Sequence, residues 1–241
     1  MTESFQIYLN STNADSINNN LYNFILPNLE IADGNYIYLS VQYASIPYSF
    51  YNINTTNNIL YYTLNSVNYT VTITPGNYNI TQLIAFLKTS MSGFTISYNS
   101  ITNKITFSHS TYNFNFLSTS TCQEILGFSK SINNRSTTLS LVSVNCVSLI
   151  PIKCINVVSN LLTYNINKSN PNNQSILCCI PITTQPNSII EYKNNNNFRS
   201  NLFINQLSNI VVKLTDQNNN VLDLNGLDFF LTIQLDIEKF N

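Results

Sequence analysis

The sequence predicts an all-β protein, and three observations carry that prediction. Residue usage favours strands: Asn makes up about a fifth of the 241 residues, Ile, Tyr, Phe, Thr and Val are plentiful, and the helix formers Ala and Glu are scarce. Apolar residues alternate with polar ones through most of the chain, the period of a strand with one buried face. Eight or more such segments follow one another without a regular repeat, separated by long polar connections and interrupted by one helical pattern. That arrangement points to a β-sandwich.

The stretch 35–58 organises the rest. In it Ile37, Leu39, Val41 and Tyr43 fall on one side and Tyr38, Ser40, Gln42 and Ala44 on the other, so the first set is assigned to the core. Pro47 ends the strand, because it donates no ladder hydrogen bond and biases Ile46 toward extended backbone. An aromatic corner follows, Tyr48-Ser49-Phe50-Tyr51, and then Asn52. It is either a core seal or a contact surface, and the reading assigns Tyr48, Phe50, Tyr51 and Asn52 to a contact between subunits.

In chain order, residues 4–9 alternate as a first strand and 10–20 form a polar connection. Residues 21–31 are a second apolar segment that Pro27 must bend or hold at a sheet edge. Residues 58–73 read as a hairpin around Asn65-Ser66. The period then changes: Ile80, Leu83, Ile84, Leu87 and Met91 follow helical spacing, Asn79 and Gln82 form a capping box, and Gly93 stops the helix. Leu83 and Leu87 belong to its core stripe. Residues 94–108 form a second hairpin. Ser120 to Gly127 reads as a miniature helix, with Ser120 and Gln123 as its cap pair. Strands resume at 139–158, 175–182, 188–192, 210–215 and 227–237, and Asn194 to Asn197 reads as a mobile loop. The last strand alternates most clearly, and places Leu231, Ile233 and Leu235 in the core with Phe229 and Ile237.

Composition excludes several function classes. Charged residues make up 9% of the chain, against about 25% in an average domain, so Asn, Ser and Thr keep the surface wet. With a net charge of -1, copies repel one another little and are expected to associate. No cluster of Lys or Arg supplies the phosphate neutralisation that nucleic-acid binding needs. No apolar stretch follows Met1, and the longest apolar run, 176–182, is too short to span a bilayer and contains Pro181. The expectation is a soluble protein made in the cytosol. Cys122, Cys146, Cys154, Cys178 and Cys179 are odd in number and lack CxxC spacing, so they read as reduced, buried apolar residues rather than metal ligands or disulfides. The N-x-S/T matches are what this abundance of Asn, Ser and Thr produces by chance.

Catalytic parts are missing. The lone histidine, His109, has no nucleophile turn beside it. Asp216, Asp223 and Asp228 flank turns, where Asp is expected for backbone reasons, and lack the oxygen-ligand density of a calcium loop. Five glycines offer no phosphate loop. No enzyme activity, cofactor or metal is expected.

The order of segments carries a resemblance. A strand ending in SIPYSFYNI, a short hairpin, PGNYNITQLIAFL, the KITF hairpin, CQEILGF and the closing IVVKLTDQNNNVLDLNGLDFFLTIQL resemble the penton (vertex) proteins of large eukaryotic DNA viruses, virophages and Polinton-like elements, from about residue 30 onward. The resemblance implies a single jelly roll of two antiparallel sheets over residues 1–241, with about 1–20 as an extended arm, a helix at about 80–91, a miniature helix at about 121–126 and inserted hairpins. It implies a virion protein made in the host cytoplasm, whose homopentamers plug the fivefold vertices of an icosahedral capsid. Its partners would be itself, a double jelly-roll major capsid protein, and minor capsid or fibre proteins. The rival reading is a carbohydrate-binding β-sandwich, a lectin-like attachment module that stacks loop Tyr on sugar faces.

Overall fold

The structure is a computed structural model that describes residues 2–32, 35–161, 175–202 and 204–239. Among the described residues four strands come first: β1 (Thr2–Asn10), β2 (Ser16–Asn18), β3 (Leu21–Glu30) and β4 (Asn35–Pro47). Next come β5 (Ile59–Leu64), β6 (Val67–Thr72), helix α1 (Ile80–Ser90), β7 (Phe94–Asn99), β8 (Lys104–His109), β9 (Phe114–Phe116), β10 (Asn134–Arg135) and β11 (Ser140–Val142). The chain closes with β12 (Cys154–Ser159), β13 (Ile176–Pro181), β14 (Ile189–Lys193), β15 (Ser200–Leu202), β16 (Gln206–Thr215) and β17 (Phe230–Lys239). Two compact units result: Met1–Phe50 with Ile152–Asn241, and Tyr51–Pro151. The hairpins read as insertions in one domain thus have a unit and a core of their own.

The first unit is a jelly roll, and the strand pairing demonstrates it. Leaving aside the three-residue β2 and β15, eight strands remain, and they pair as nested antiparallel couples. The first meets the last (β1 with β17), the second the seventh (β3 with β16), the third the sixth (β4 with β14) and the fourth the fifth (β12 with β13). A long hairpin rolled up on itself pairs in this way. The β17–β4 and β12–β16 ladders join the couples into two sheets, β1-β17-β4-β14 and β13-β12-β16-β3-β2. Leu39, Leu231, Ile233 and Leu235 from one sheet and Ile155, Val157, Ile210 and Val212 from the other share one core. The proposed extended arm is instead β1, paired with β17 at all nine positions. Pro27 lies where the β3–β16 register shifts, between the pairs Leu29–Leu207 and Ile25–Asn209.

A bulge decides what β4 buries. Thr232 opposes Tyr43 and Ile233 opposes Val41, so Gln42 is an extra residue on β4. Ile37, Leu39 and Val41 face the core before it, and Ala44 and Ile46 face the core after it. The assignment of Tyr43 to the core is therefore corrected: it is half-buried beside Phe230 on the outer face. The interval between β14 and β15, both of which pair with β4, falls at this bulge. There the Asn194 amide donates to the Gln42 carbonyl, and the Asn194 side chain bonds both backbone groups of Phe198. The Asn194 to Asn197 run is a hydrogen-bonded crossing of the bulge.

The second unit has two sheets, β10-β9-β5-β6 and β11-β8-β7. Leu83 and Leu87 of α1 are fully buried there among Phe107, Phe116 and Phe128. Edge-to-face rings bind this core, with Phe107 and Phe116 4.9 Å apart and Phe116 and Phe128 5.2 Å apart. The Asn79–Gln82 capping box is formed. The miniature helix is not. Ser120 Oγ accepts from the Tyr61 amide, and Gln123 Nε2 donates to the Leu117 and Ile132 carbonyls, so the residues read as its cap pair serve other backbone. A run of turns replaces it, closed at Gly127, where φ is +78° and a Cβ would fall 2.4 Å from the Asn145 carbonyl oxygen.

The Asn abundance has a conformational use. Of the twelve non-glycine residues with positive φ among the described residues, eight are Asn, including Asn19 and Asn20 between β2 and β3 and Asn65 between β5 and β6. Asn tolerates the left-handed region better than other residues that carry a side chain. In a chain with five glycines, Asn makes the turns.

Candidate functional site

The aromatic corner is largely a seal. Tyr48 and Phe50 are 6% and 3% exposed, stack at 4.4 Å between centroids, and belong to the jelly-roll core. Their assignment to a subunit contact is corrected, and the cause is the Gln42 bulge. It moves the inward face of the strand from odd to even positions, and Tyr48 and Phe50 follow Ala44 and Ile46 inward. Burial also pushes the Tyr48 phenol above its usual pKa. Asn52, 7% exposed, is a structural clamp: Nδ2 donates to the Tyr78 and Leu149 carbonyls, and Oδ1 accepts from the Tyr78 amide. Only Tyr51, at 38%, keeps substantial exposure.

The groups considered for chemistry serve structure. His109 Nδ1 accepts from the Thr111 and Tyr112 amides, and its ring packs against Phe94. Asp216 accepts from the Asn218 and Asn220 amides and from Asn220 Nδ2, which closes the turn after β16. Asp223 accepts from the Asn225 amide and Asp228 from Ser11 Oγ. Among the described residues no group of three or more His, Cys, Asp and Glu is placed to hold a metal, and no helix is long and apolar enough to cross a membrane. All five cysteines are free, but only Cys122 and Cys178 are buried; Cys146 and Cys179 are exposed and Cys154 is half-buried. The expectation that all five are buried is corrected accordingly.

The strongest candidate for a contact surface lies on β1 and the outer face of its sheet. Natural sheets guard their edges with charge, proline, bulges or brevity. In the first unit β14 carries Glu191 and Lys193, β13 ends at Pro181, and β2 has three residues. By contrast, β1 runs nine residues in unbroken register with one charge, Glu3. Beside it Tyr8, 64% exposed, stacks near-parallel on Phe230 at 6.4 Å, and Tyr43 lies 6.3 Å from Phe230 on the other side. Farther along the face Asp236 accepts from Ser4 Oγ and Gln234 Nε2. Arg199 lies 3.9 Å above the Tyr38 ring and bonds Glu238, whose carboxylate raises the Arg199 pKa. The sequence reading missed Tyr8 and Phe230. The available signal was an aromatic residue, Tyr8, at the polar phase of the first strand.

No protein-family model matches the chain, and no curated protein sequence matches it significantly. A search of solved structures finds the crystal structure of selenomethionine-labelled mavirus penton protein, which is similar over 100% of both chains with a TM-score of 0.54 and 12% sequence identity. At that identity the likeness is one of fold: the chain is an all-β, jelly-roll protein of the architecture seen in a virophage penton.

Proposed function

We propose that this chain is a structural protein of a viral capsid, a penton whose homopentamers close the fivefold vertices of an icosahedral shell. The observation that carries the reading is the nested eight-strand jelly roll with a second unit inserted between β4 and β12, in a chain whose fold matches a virophage penton from end to end. Weak charge agrees with a self-associating role. A five-membered ring needs head-to-tail contacts, so each copy presents two different complementary surfaces. The open β1 edge with Tyr8, Phe230 and Tyr43 is the one we assign to a neighbouring copy. The double jelly-roll major capsid protein is the expected neighbour around the ring.

Mass measurement on the purified chain, alone and with capsid protein, tests the reading. A pentamer, or assembly that depends on the capsid protein, supports it. A monomer under all these conditions that instead binds immobilised glycans overturns it in favour of a sugar-binding module using the same tyrosine face. Tyr8→Ser should weaken assembly and leave the melting midpoint nearly unchanged, since Tyr8 is mostly solvated.

A further inference from the structure

The ladder between β12 and β13 brings two cysteines together on the outside of the second jelly-roll sheet. Ile155 pairs with Ile180 and Val157 with Cys178, and all four face the core. The alternate positions therefore face outward, and they include Cys154, opposite Pro181, and Cys179, opposite Asn156. Cys154 and Cys179 are diagonal neighbours on one face, and the Cys154 thiol is close enough to help raise the Cys179 pKa. Cys179 is exposed and Cys154 half-buried, so a small reagent can reach the pair. In a flat ladder diagonal Cα atoms lie about 7–8 Å apart, just beyond the separation of roughly 4.4–6.8 Å that a disulfide spans. The difference is small, and β13 can supply it: it is an edge strand with a single partner, and its register already shifts between Val157 and Val158.

We propose that Cys154 and Cys179 are a dithiol that closes to an intramolecular disulfide by exchange with a small disulfide such as oxidised glutathione, stapling edge strand β13 to β12. The exchange balances in two steps. One protein thiolate attacks a sulfur of oxidised glutathione, giving a mixed disulfide and one free glutathione. The other protein thiolate then attacks the protein sulfur of that mixed disulfide, forming the Cys154–Cys179 bond and releasing the second glutathione. The two protein protons end on the two glutathione thiols, and the protein gives up two electrons. Burial and the neighbouring Cys154 thiol push the Cys179 pKa up to about 12, so closure is slow at neutral pH and speeds up as the solution is made alkaline. A protein kept reduced in the cytosol would carry the open pair and meet the closing reagent only in oxidising surroundings. The inference concerns the jelly-roll unit alone and stands whether or not the chain is a penton.

The test treats the full-length protein with oxidised glutathione and follows intact mass, free thiols and linked peptides. Apart from a glutathione adduct on exposed Cys146, the expected result is loss of two hydrogens, loss of the Cys154 and Cys179 thiols, a peptide joining Cys154 to Cys179, and slower hydrogen exchange in β13. Dithiothreitol should restore the starting state. Cys154→Ser should arrest at a glutathione adduct on Cys179, a result that a merely exposed Cys179 in an unaltered pair would share with wild type. Persistence of that adduct in the wild-type protein, a link through Cys146, or retention of all five thiols overturns the proposal.

Discussion

Replacing Phe50 with Ala separates seal from surface. Phe50 is 3% exposed, stacked on Tyr48 and enclosed by the jelly-roll core. Truncating a buried Phe costs about 3–5 kcal/mol, the lost transfer energy plus the cavity left behind. Of this, the ring pair contributes about 0.5–1.5 kcal/mol, which a Tyr48→Ala, Phe50→Ala double-mutant cycle would recover. For a chain of this size each kcal/mol lowers the melting midpoint by about 2–4 °C, so Phe50→Ala should melt roughly 6–20 °C lower. Tyr51→Ser, at 38% exposure, is the reference and should stay within about 0.5 kcal/mol of wild type. Thermal unfolding by circular dichroism, run beside mass measurement of the assembled fraction, gives both readouts. If Phe50→Ala melted with wild type but failed to assemble, Phe50 would lie on a contact surface and the bulge argument would be refuted.

Four further outcomes follow from single residues. Asn52→Ala leaves the Tyr78 amide and the Tyr78 and Leu149 carbonyls without their side-chain partner; it should cost about 2–4 kcal/mol in denaturant titration and speed hydrogen exchange at Tyr78. Thr138, a β-branched residue at φ +52° in the two-residue turn between Thr137 and Ser140, is strained, so Thr138→Gly should stabilise by about 1 kcal/mol, read as a raised midpoint. Burial pushes the Cys122 thiol from its ordinary 9.0 to about 12. Above pH 9 the unfolded chain therefore binds fewer protons than the folded one, and stability present below pH 9 is lost as pH rises toward 12; Cys122→Ala should flatten that part of the stability–pH curve. At neutral pH a thiol reagent should label Cys146 in the native protein, and Cys122 and Cys178 only on unfolding.

Much of the fold is legible in the sequence because local rules suffice for it. The hairpin at Asn65-Ser66, the capped helix from Ile80 and the alternation from Leu231 to Ile237 rest on periods and turn preferences that each segment carries within itself. Segments also carry their termini: Pro47 ends β4 as its chemistry requires. Whatever depends on a partner strand is less accessible. That Ser120 and Gln123 bond the backbone of Tyr61, Leu117 and Ile132 rather than cap a helix is decided by neighbours far along the chain.

The candidate site shows the same division. Composition alone establishes a weakly charged β protein whose copies repel one another little, and explains why Asn replaces glycine in the turns. Which aromatics are free to meet another copy depends on one extra residue, Gln42, in the β4–β17 ladder. A side chain's face follows a period of two, so a single insertion exchanges inside for outside. It turns Tyr48 and Phe50 into core and leaves Tyr43 beside Phe230 and Tyr8 on the outer face. The bulge is a property of two strands almost two hundred residues apart in sequence, so only the tertiary pairing reveals it.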